Sequence, residues 1–137
     1  MPKYRLEENV LPKVKVFGIS CHVPDYRLCW SLNRALKLDL SRRRKDIIEE
    51  VKGKALHYSV FEKPDEEGVA RWSLICNTCG RRKLLSEQKA ADFFLLVDHE
   101  TALREPGILE RLRDSEFVLT AFPLQMDELK MGHKLLL

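Results

Sequence analysis

The sequence has few of the features that mark membrane, secreted or disordered proteins. Its 137 residues include four cysteines, six glycines and six prolines. No run approaches the roughly 20 apolar residues of a membrane span, and the opening segment MPKYRLEENV lacks the apolar centre of a signal peptide. Four cysteines are too few for a disulfide scaffold. We therefore expect a cytoplasmic protein that does not engage a membrane.

The sequence also lacks the common signatures of catalysis. It contains no glycine-rich phosphate loop, no serine or cysteine nucleophile in a recognised turn motif, and no prominent carboxylate pair. We therefore expect no cofactor and favour a non-catalytic protein.

What the sequence does contain is enough apolar material for one core. It is 45% hydrophobic and 33% charged, and its length is that of a single domain. We expect residues 1–137 to form one domain, with 1–12 and 126–137 as candidate flexible tails.

The hydrophobic pattern predicts an α+β fold, mainly an antiparallel sheet with two or three helices packed on it. Prolines and glycines punctuate the pattern between elements. The aromatic residues, Trp30 included, fall in predicted elements and are assigned to the core. The predicted elements are strand 14–23, helix 25–37, a short helical face at Ile47, Ile48 and Val51, strands 56–62 and 69–76 as a hairpin, strand 82–85, buried strand 92–97, a short helix after Pro106-Gly107, and strand 117–122 ended by Pro123.

Cys76 and Cys79 form a CxxC pair on a predicted turn. Two such thiolates make half of a tetrahedral zinc site. A closed site needs two more ligands, for which Cys21, His22 and Cys29 are the candidates. The alternative, which we favour, is that these cysteines serve as small hydrophobic residues and bind no metal.

The loop between the first strand and the first helix gathers several polar side chains. His22 could act as a general base oriented by Asp25, with Arg27 holding an anionic group. In the alternative, Asp25 caps the helix and Arg27 pairs with a distant carboxylate, for which Glu87 and Asp92 are candidates. The candidate binding residues are His22, Asp25, Tyr26, Arg27, Asn33, Glu87 and Asp92.

A basic run at Arg42, Arg43, Arg44 and Lys45 holds most of the excess positive charge of residues 1–54. Such a run could contact nucleic acid non-specifically. No aromatic residue interleaves it to stack bases, as single-strand binders usually require. The alternative is a solvated loop.

The stretch from Gly18 to Asn33, GISCHVPDYRLCWSLN, resembles the opening signature of the IPExxxVDY family of Bacteroidetes-type bacteria. The second family motif would fall on residues 85–93, where Glu87 and Asp92 match, and the segment 117–122 resembles the closing strand of the family. The resemblance implies a small single-domain protein of no assigned activity. Relatives are often encoded beside a double-strand-specific ribonuclease, which the resemblance offers as a hint about partners.

These observations favour a small cytoplasmic binding or adaptor module that acts on a protein or RNA partner and is a candidate homodimer. The alternative is a small enzyme or ligand-binding protein with a site around His22, Asp25 and Arg27.

Overall fold

The computed structural model describes residues 13–137, which build a six-stranded antiparallel sheet with a layer packed on each face. The strands are β1 (Val14–Cys21), β2 (Ser41–Arg42), β3 (Ile47–Val51), β4 (Lys54–Tyr58), β5 (Val60–Pro64), β6 (Ala70–Cys76), β7 (Thr78–Cys79), β8 (Arg82–Lys83), β9 (Phe93–Asp98) and β10 (Val118–Leu124). The helices are α1 (Asp25–Leu36), α2 (His99–Arg104) and α3 (Ile108–Arg113), followed by 3₁₀ turns at Met126–Glu128 and Gly132–Leu136. The predicted tail over 1–12 lies outside the described residues.

The large sheet has the strand order β10-β1-β9-β6-β5-β2, and every neighbouring pair is antiparallel. The α+β prediction is therefore confirmed. β9 lies inside the sheet, and its five residues 93–97 are all buried. A continuous apolar run is what a strand covered on both faces requires.

Alternation along β9 divides the core into two layers. Phe93, Leu95 and Val97 face α1 and α3, whose buried side chains include Leu32 and Leu112. Phe94 and Leu96 face the opposite side, which we call the hairpin face.

The hairpin face is covered by the β3–β4 hairpin, so the helical face predicted at 47, 48 and 51 is wrong. Ile47 is buried and Ile48 is half exposed, which is the alternation of a strand. Lys52 and Gly53 both have positive φ, as a two-residue hairpin turn of this twist requires. The charged residues between the apolar ones obscured that period of two in the sequence.

The C-terminal segment completes this layer, so the flexible tail proposed for 126–137 is not what the structure shows. Met126, Leu129 and Leu135 are buried on the hairpin face. The Glu87 carboxylate accepts hydrogen bonds from the backbone N–H groups of Lys130 (3.0 Å) and Met131 (2.8 Å).

Two strand boundaries also differ from the prediction. The strand predicted over 56–62 divides at Ser59 into β4 and β5, which belong to different sheets. Pro123 lies within β10 instead of ending it. An edge strand tolerates proline because its outward side needs no N–H donor, and here Arg113 Nε donates to the Ala121 carbonyl of the same strand (3.1 Å).

Candidate interaction surface

Helix α1 presents a solvent-exposed row of aromatic and arginine side chains. Its inner face, which includes Leu28 and Leu32, is buried in the core. On its outer face Tyr26 is 64% exposed and Trp30 is 49% exposed. Residues three, four and seven apart share one side of a helix. We call the set Tyr26, Arg27, Trp30, Arg34 and Phe117 the aromatic–arginine surface.

Each arginine of this surface stacks on an aromatic ring. The Arg27 Cζ atom lies 4.8 Å from the centroid of Phe117, and the Arg34 Cζ atom lies 4.9 Å from that of Trp30. Both distances are within the range of cation–π attraction. Within residues 13–137 neither guanidinium forms a salt bridge. Stacking therefore holds both guanidinium groups in place while their N–H donors remain available to a ligand or partner.

A cavity of about 440 Å³ opens beside Arg27, lined by Tyr26, Arg27, Trp30 and Phe117. Phe117 reaches it with a backbone φ of +77°. For a bulky residue this left-handed conformation is strained by about 1–2 kcal/mol. Such strain concentrates at functional positions, and here it holds the ring that Arg27 covers.

The far end of the surface is acidic. A hollow of about 290 Å³ is lined by Trp30, Arg34, Asp114 and Glu116 among others. Asp114 and Glu116 lie on the loop between α3 and β10. The Ser31 hydroxyl donates to the Glu116 carbonyl (2.6 Å), which connects this loop to α1. Two arginines and two carboxylates therefore balance in charge, with Arg27 alone at one end.

The loop residues proposed as a catalytic group do not assemble into one. His22 is exposed, and Asp25 accepts hydrogen bonds from the Ser59 hydroxyl (2.6 Å) and the Tyr26 N–H (2.7 Å). No hydrogen bond or salt bridge of the described chain joins His22, Asp25 and Arg27 to one another. Asp25 is the first residue of α1, and Pro24 occupies the cap position, so the predicted Asp25 cap is wrong.

Glu87 and Asp92 accept hydrogen bonds from backbone N–H groups. The predicted pairing of Arg27 with one of these carboxylates is therefore wrong. The Asp92 carboxylate accepts from the Cys21 N–H (3.0 Å) and pairs with the Lys83 ammonium (3.2 Å). Glu87 fastens the C-terminal segment described above. Arg27 stacks on Phe117 and pairs with neither carboxylate.

Asn33 also acts on backbone. Its amide donates to the Leu40 carbonyl (3.0 Å) and accepts from the Leu40 N–H (2.9 Å). The chain leaves α1 through Lys37, whose φ is +56°. Asn33 thus closes the loop after the helix and is turned away from the aromatic–arginine surface's cavity.

Half of the basic run is engaged within the protein. Arg42 donates three hydrogen bonds to the Asp46 carboxylate (2.8, 3.0 and 3.3 Å). Arg43 donates to the Leu137 carbonyl (2.9 Å) and lies 3.8 Å from Glu62. Arg44 and Lys45 are exposed.

Cys76 and Cys79 point to different layers. Cys76 packs against the helix-side core and Cys79 against the hairpin-side core. Burial raises the pKa of the Cys76 thiol, raises that of Cys21, and raises that of Cys29 to about 11. Within residues 13–137 no group of three or more side chains is arranged to hold a metal ion, and all four thiols are free.

A larger cavity, of about 580 Å³, lies on the hairpin face. Its floor includes Ile75 and Leu96, and its rim includes Arg71, Asp98 and Arg43. Arg71 lies 3.7 Å from Asp98. Of the residues predicted as functional, only Arg43 borders it.

Sequence reasoning missed Trp30, Arg34 and Phe117 as surface residues. Trp30 lies within the predicted helix 25–37 and was assigned to the core for that reason. The spacing of Tyr26, Trp30 and Arg34 at i, i+4 and i+8 was the signal that separates them from the buried stripe.

Comparisons of the chain with family models, with curated proteins and with solved structures found no match. Within residues 13–137 no helix has the length and apolar character needed to cross a membrane.

Proposed function

We propose that this protein is a small, non-catalytic cytoplasmic module that binds a protein partner through the aromatic–arginine surface. The observation that carries the proposal is the exposure of Tyr26 and Trp30 beside two arginines fixed by stacking. Tryptophan, tyrosine and arginine are the residue types that dominate binding energy at protein interfaces. Their clustering on one helix face is unusual for a surface that only meets water.

The stacked arginines lower the cost of binding. A long side chain that becomes immobile at an interface loses about 0.5–1.5 kcal/mol of conformational freedom. Arg27 and Arg34 have already lost part of that freedom against Phe117 and Trp30. A partner carboxylate would therefore meet a guanidinium whose position is set in advance.

Charge favours a protein over RNA as the partner. Exposed aromatics beside arginines also suit single-stranded nucleic acid. Asp114 and Glu116 stand at one end of the surface, however, and would repel phosphates. Arg42 and Arg43 of the basic run are engaged with other groups of the chain.

The same geometry argues against the enzymatic alternative. The cavity beside Arg27 is bordered by aromatic rings and the guanidinium, without a side chain of ordinary general-base chemistry. His22 and Asp25 do not line it.

We also propose membership of the IPExxxVDY family, which rests on the two motifs of the sequence. Tyr26, Arg27 and Trp30 all lie within the first motif. On this proposal the first motif supplies three of the five residues of the aromatic–arginine surface, while Glu87 and Asp92 of the second motif accept hydrogen bonds from backbone N–H groups.

The proposal is tested by affinity capture from the cells in which the protein is made. Tagged parent protein is compared with Trp30→Ala and Arg27→Ala, and with Leu103→Ala as a matched control. Leu103 is 71% exposed on α2 and lines neither cavity of the surface. We expect the parent and the control to retain the same protein partner and the two surface variants to lose it.

Equal capture by all four proteins would contradict the proposal, as would capture of RNA that ribonuclease treatment removes. Circular dichroism of each variant checks that the fold is unchanged.

A further inference from the structure

We propose that the occupant of the aromatic–arginine surface is a second copy of this chain, bound with the two α1 helices antiparallel about a two-fold axis near Trp30. The inference rests on the proposed function and names its partner. It is carried by the distribution of charge over the surface, with Arg27 at one end and Asp114 and Glu116 at the other.

The positions on α1 suit such an axis. Arg27 and Arg34 are seven residues apart, which corresponds to about 10 Å along the helix at about 1.5 Å per residue. Trp30 lies near the midpoint between them. A two-fold axis through this point exchanges the two ends of the surface, as an isologous dimer requires.

The exchange brings opposite charges together. The end with Arg27 has a net charge of one positive, from a single guanidinium. The other end has a net charge of one negative, from Arg34 with Asp114 and Glu116. In the antiparallel dimer each positive end faces a negative end, and the contact is made twice. A parallel arrangement would place Arg27 against its own copy.

The aromatic residues supply the centre of the interface. Trp30 lies on the axis and meets its copy, while the cavity of about 440 Å³ is open to a side chain of the second chain. In this arrangement Tyr26 of the second copy faces the hollow of about 290 Å³ at the opposite end of the surface, and the Arg34 end of the second copy faces the cavity. Central aromatic contacts surrounded by charged pairs are the usual anatomy of a stable interface.

Within the described residues, the two edges of the six-stranded sheet are poorly suited to self-association. β2 at one edge has two residues. β10 at the other edge contains Pro123, and Arg113 already occupies the outward carbonyl of Ala121. Edge-to-edge pairing needs a row of free backbone donors and acceptors.

Sedimentation equilibrium of the full chain over a range of concentrations tests the inference. We expect the parent and Leu103→Ala to form dimers, and Trp30→Ala to weaken the dimer by about tenfold or more.

A charge exchange gives the sharper test. Arg27→Glu places two negative ends in contact, and Glu116→Arg places two positive ends in contact, so each variant alone should be monomeric where the parent is dimeric. In an equimolar mixture of the two variants both contacts again join opposite charges. We expect the mixture to form a heterodimer of nearly parental affinity.

A parent that is monomeric at every concentration would overturn the inference, and so would a dimer that Trp30→Ala leaves intact or a mixture that stays monomeric. If the parent is monomeric while Trp30→Ala still loses a captured protein, the inference fails and the proposed function stands. If Trp30→Ala changes neither measurement, both fail.

Discussion

Among substitutions that remove no apolar surface, Asn77→Ala should be one of those that lower the free energy of unfolding most. Asn77 is fully buried at the end of β6. Its side-chain amide donates to the carbonyls of Ala91 (2.8 Å) and Gln88 (3.2 Å), and its side-chain oxygen accepts from the Leu85 N–H (2.8 Å). Its own backbone N–H donates to the Asp92 carbonyl (2.9 Å).

The expected loss of stability depends on which hydrogen bonds remain to each partner of Asn77 after the substitution. The Leu85 N–H is buried and would have no acceptor, which costs about 1–3 kcal/mol. The two bonds to carbonyls contribute about 0.5–1.5 kcal/mol each, and the Ala91 carbonyl keeps a bond from Lys83 (3.3 Å). Asn77→Ala should therefore lower the free energy of unfolding by about 3–4 kcal/mol, a large share of the ~5–15 kcal/mol of a typical domain.

Urea unfolding of the parent, Asn77→Ala and Asn33→Ala measures this difference. Asn33 is the matched control because it also bridges a loop, but it is only half-buried and water can replace it. We expect Asn33→Ala to cost about 1 kcal/mol. A midpoint for Asn77→Ala equal to that of the parent or of Asn33→Ala would refute the reasoning.

Three further changes test other parts of the structure. The buried Tyr58 hydroxyl has no hydrogen-bond partner within the described chain, so Tyr58→Phe should leave the unfolding free energy unchanged or raise it by about 1 kcal/mol; a clear loss in urea unfolding would reveal a polar partner. A Cβ at Gly18 would collide with the ring of Phe122 on the neighbouring strand. Gly18→Ala should therefore lower the free energy of unfolding by about 1–3 kcal/mol. A double variant with Phe122→Leu should lose less unfolding free energy than the sum of the two single variants. Burial raises the pKa of the Cys29 thiol from 9.0 to about 11. Between about pH 9 and 11 the unfolded chain therefore binds fewer protons at Cys29 than the folded chain, and the contribution of Cys29 to stability should fall as the pH rises. The urea midpoint of Cys29→Ala should fall less over that range than the midpoint of the parent.

The sheet could be predicted from the sequence because its central strands carry unambiguous patterns. The run 93–97 is apolar throughout, and the turn at 64–68 contains the proline, aspartate and glycine that a reversal needs. The prediction failed where tertiary pairing outweighed local pattern. Ile47 and Ile48 are adjacent and could belong to a helix or a strand, and only their pairing with β4 decides between them.

The aromatic–arginine surface was harder to predict because exposure is a property of the packed molecule. The motif residues Tyr26 and Arg27 were singled out, but as neighbours of His22 in a polar loop. Phe117 is 90 positions from Arg27 in the sequence, and no local pattern indicates that its ring lies beneath that guanidinium. Asn77 was missed for a similar reason, since its three side-chain partners lie on the following loop.

The proline and the arginine contact on the edge strand β10 bear on how the protein resists aggregation at high concentration. A seven-residue strand at the border of a sheet is a template on which misfolded chains can stack into fibrils. Pro123 removes one backbone donor from that border, and the Arg113 guanidinium covers one acceptor and adds a charge. Two different devices thus protect a single strand against ordered aggregation, while the chain remains free to associate through side chains on another face.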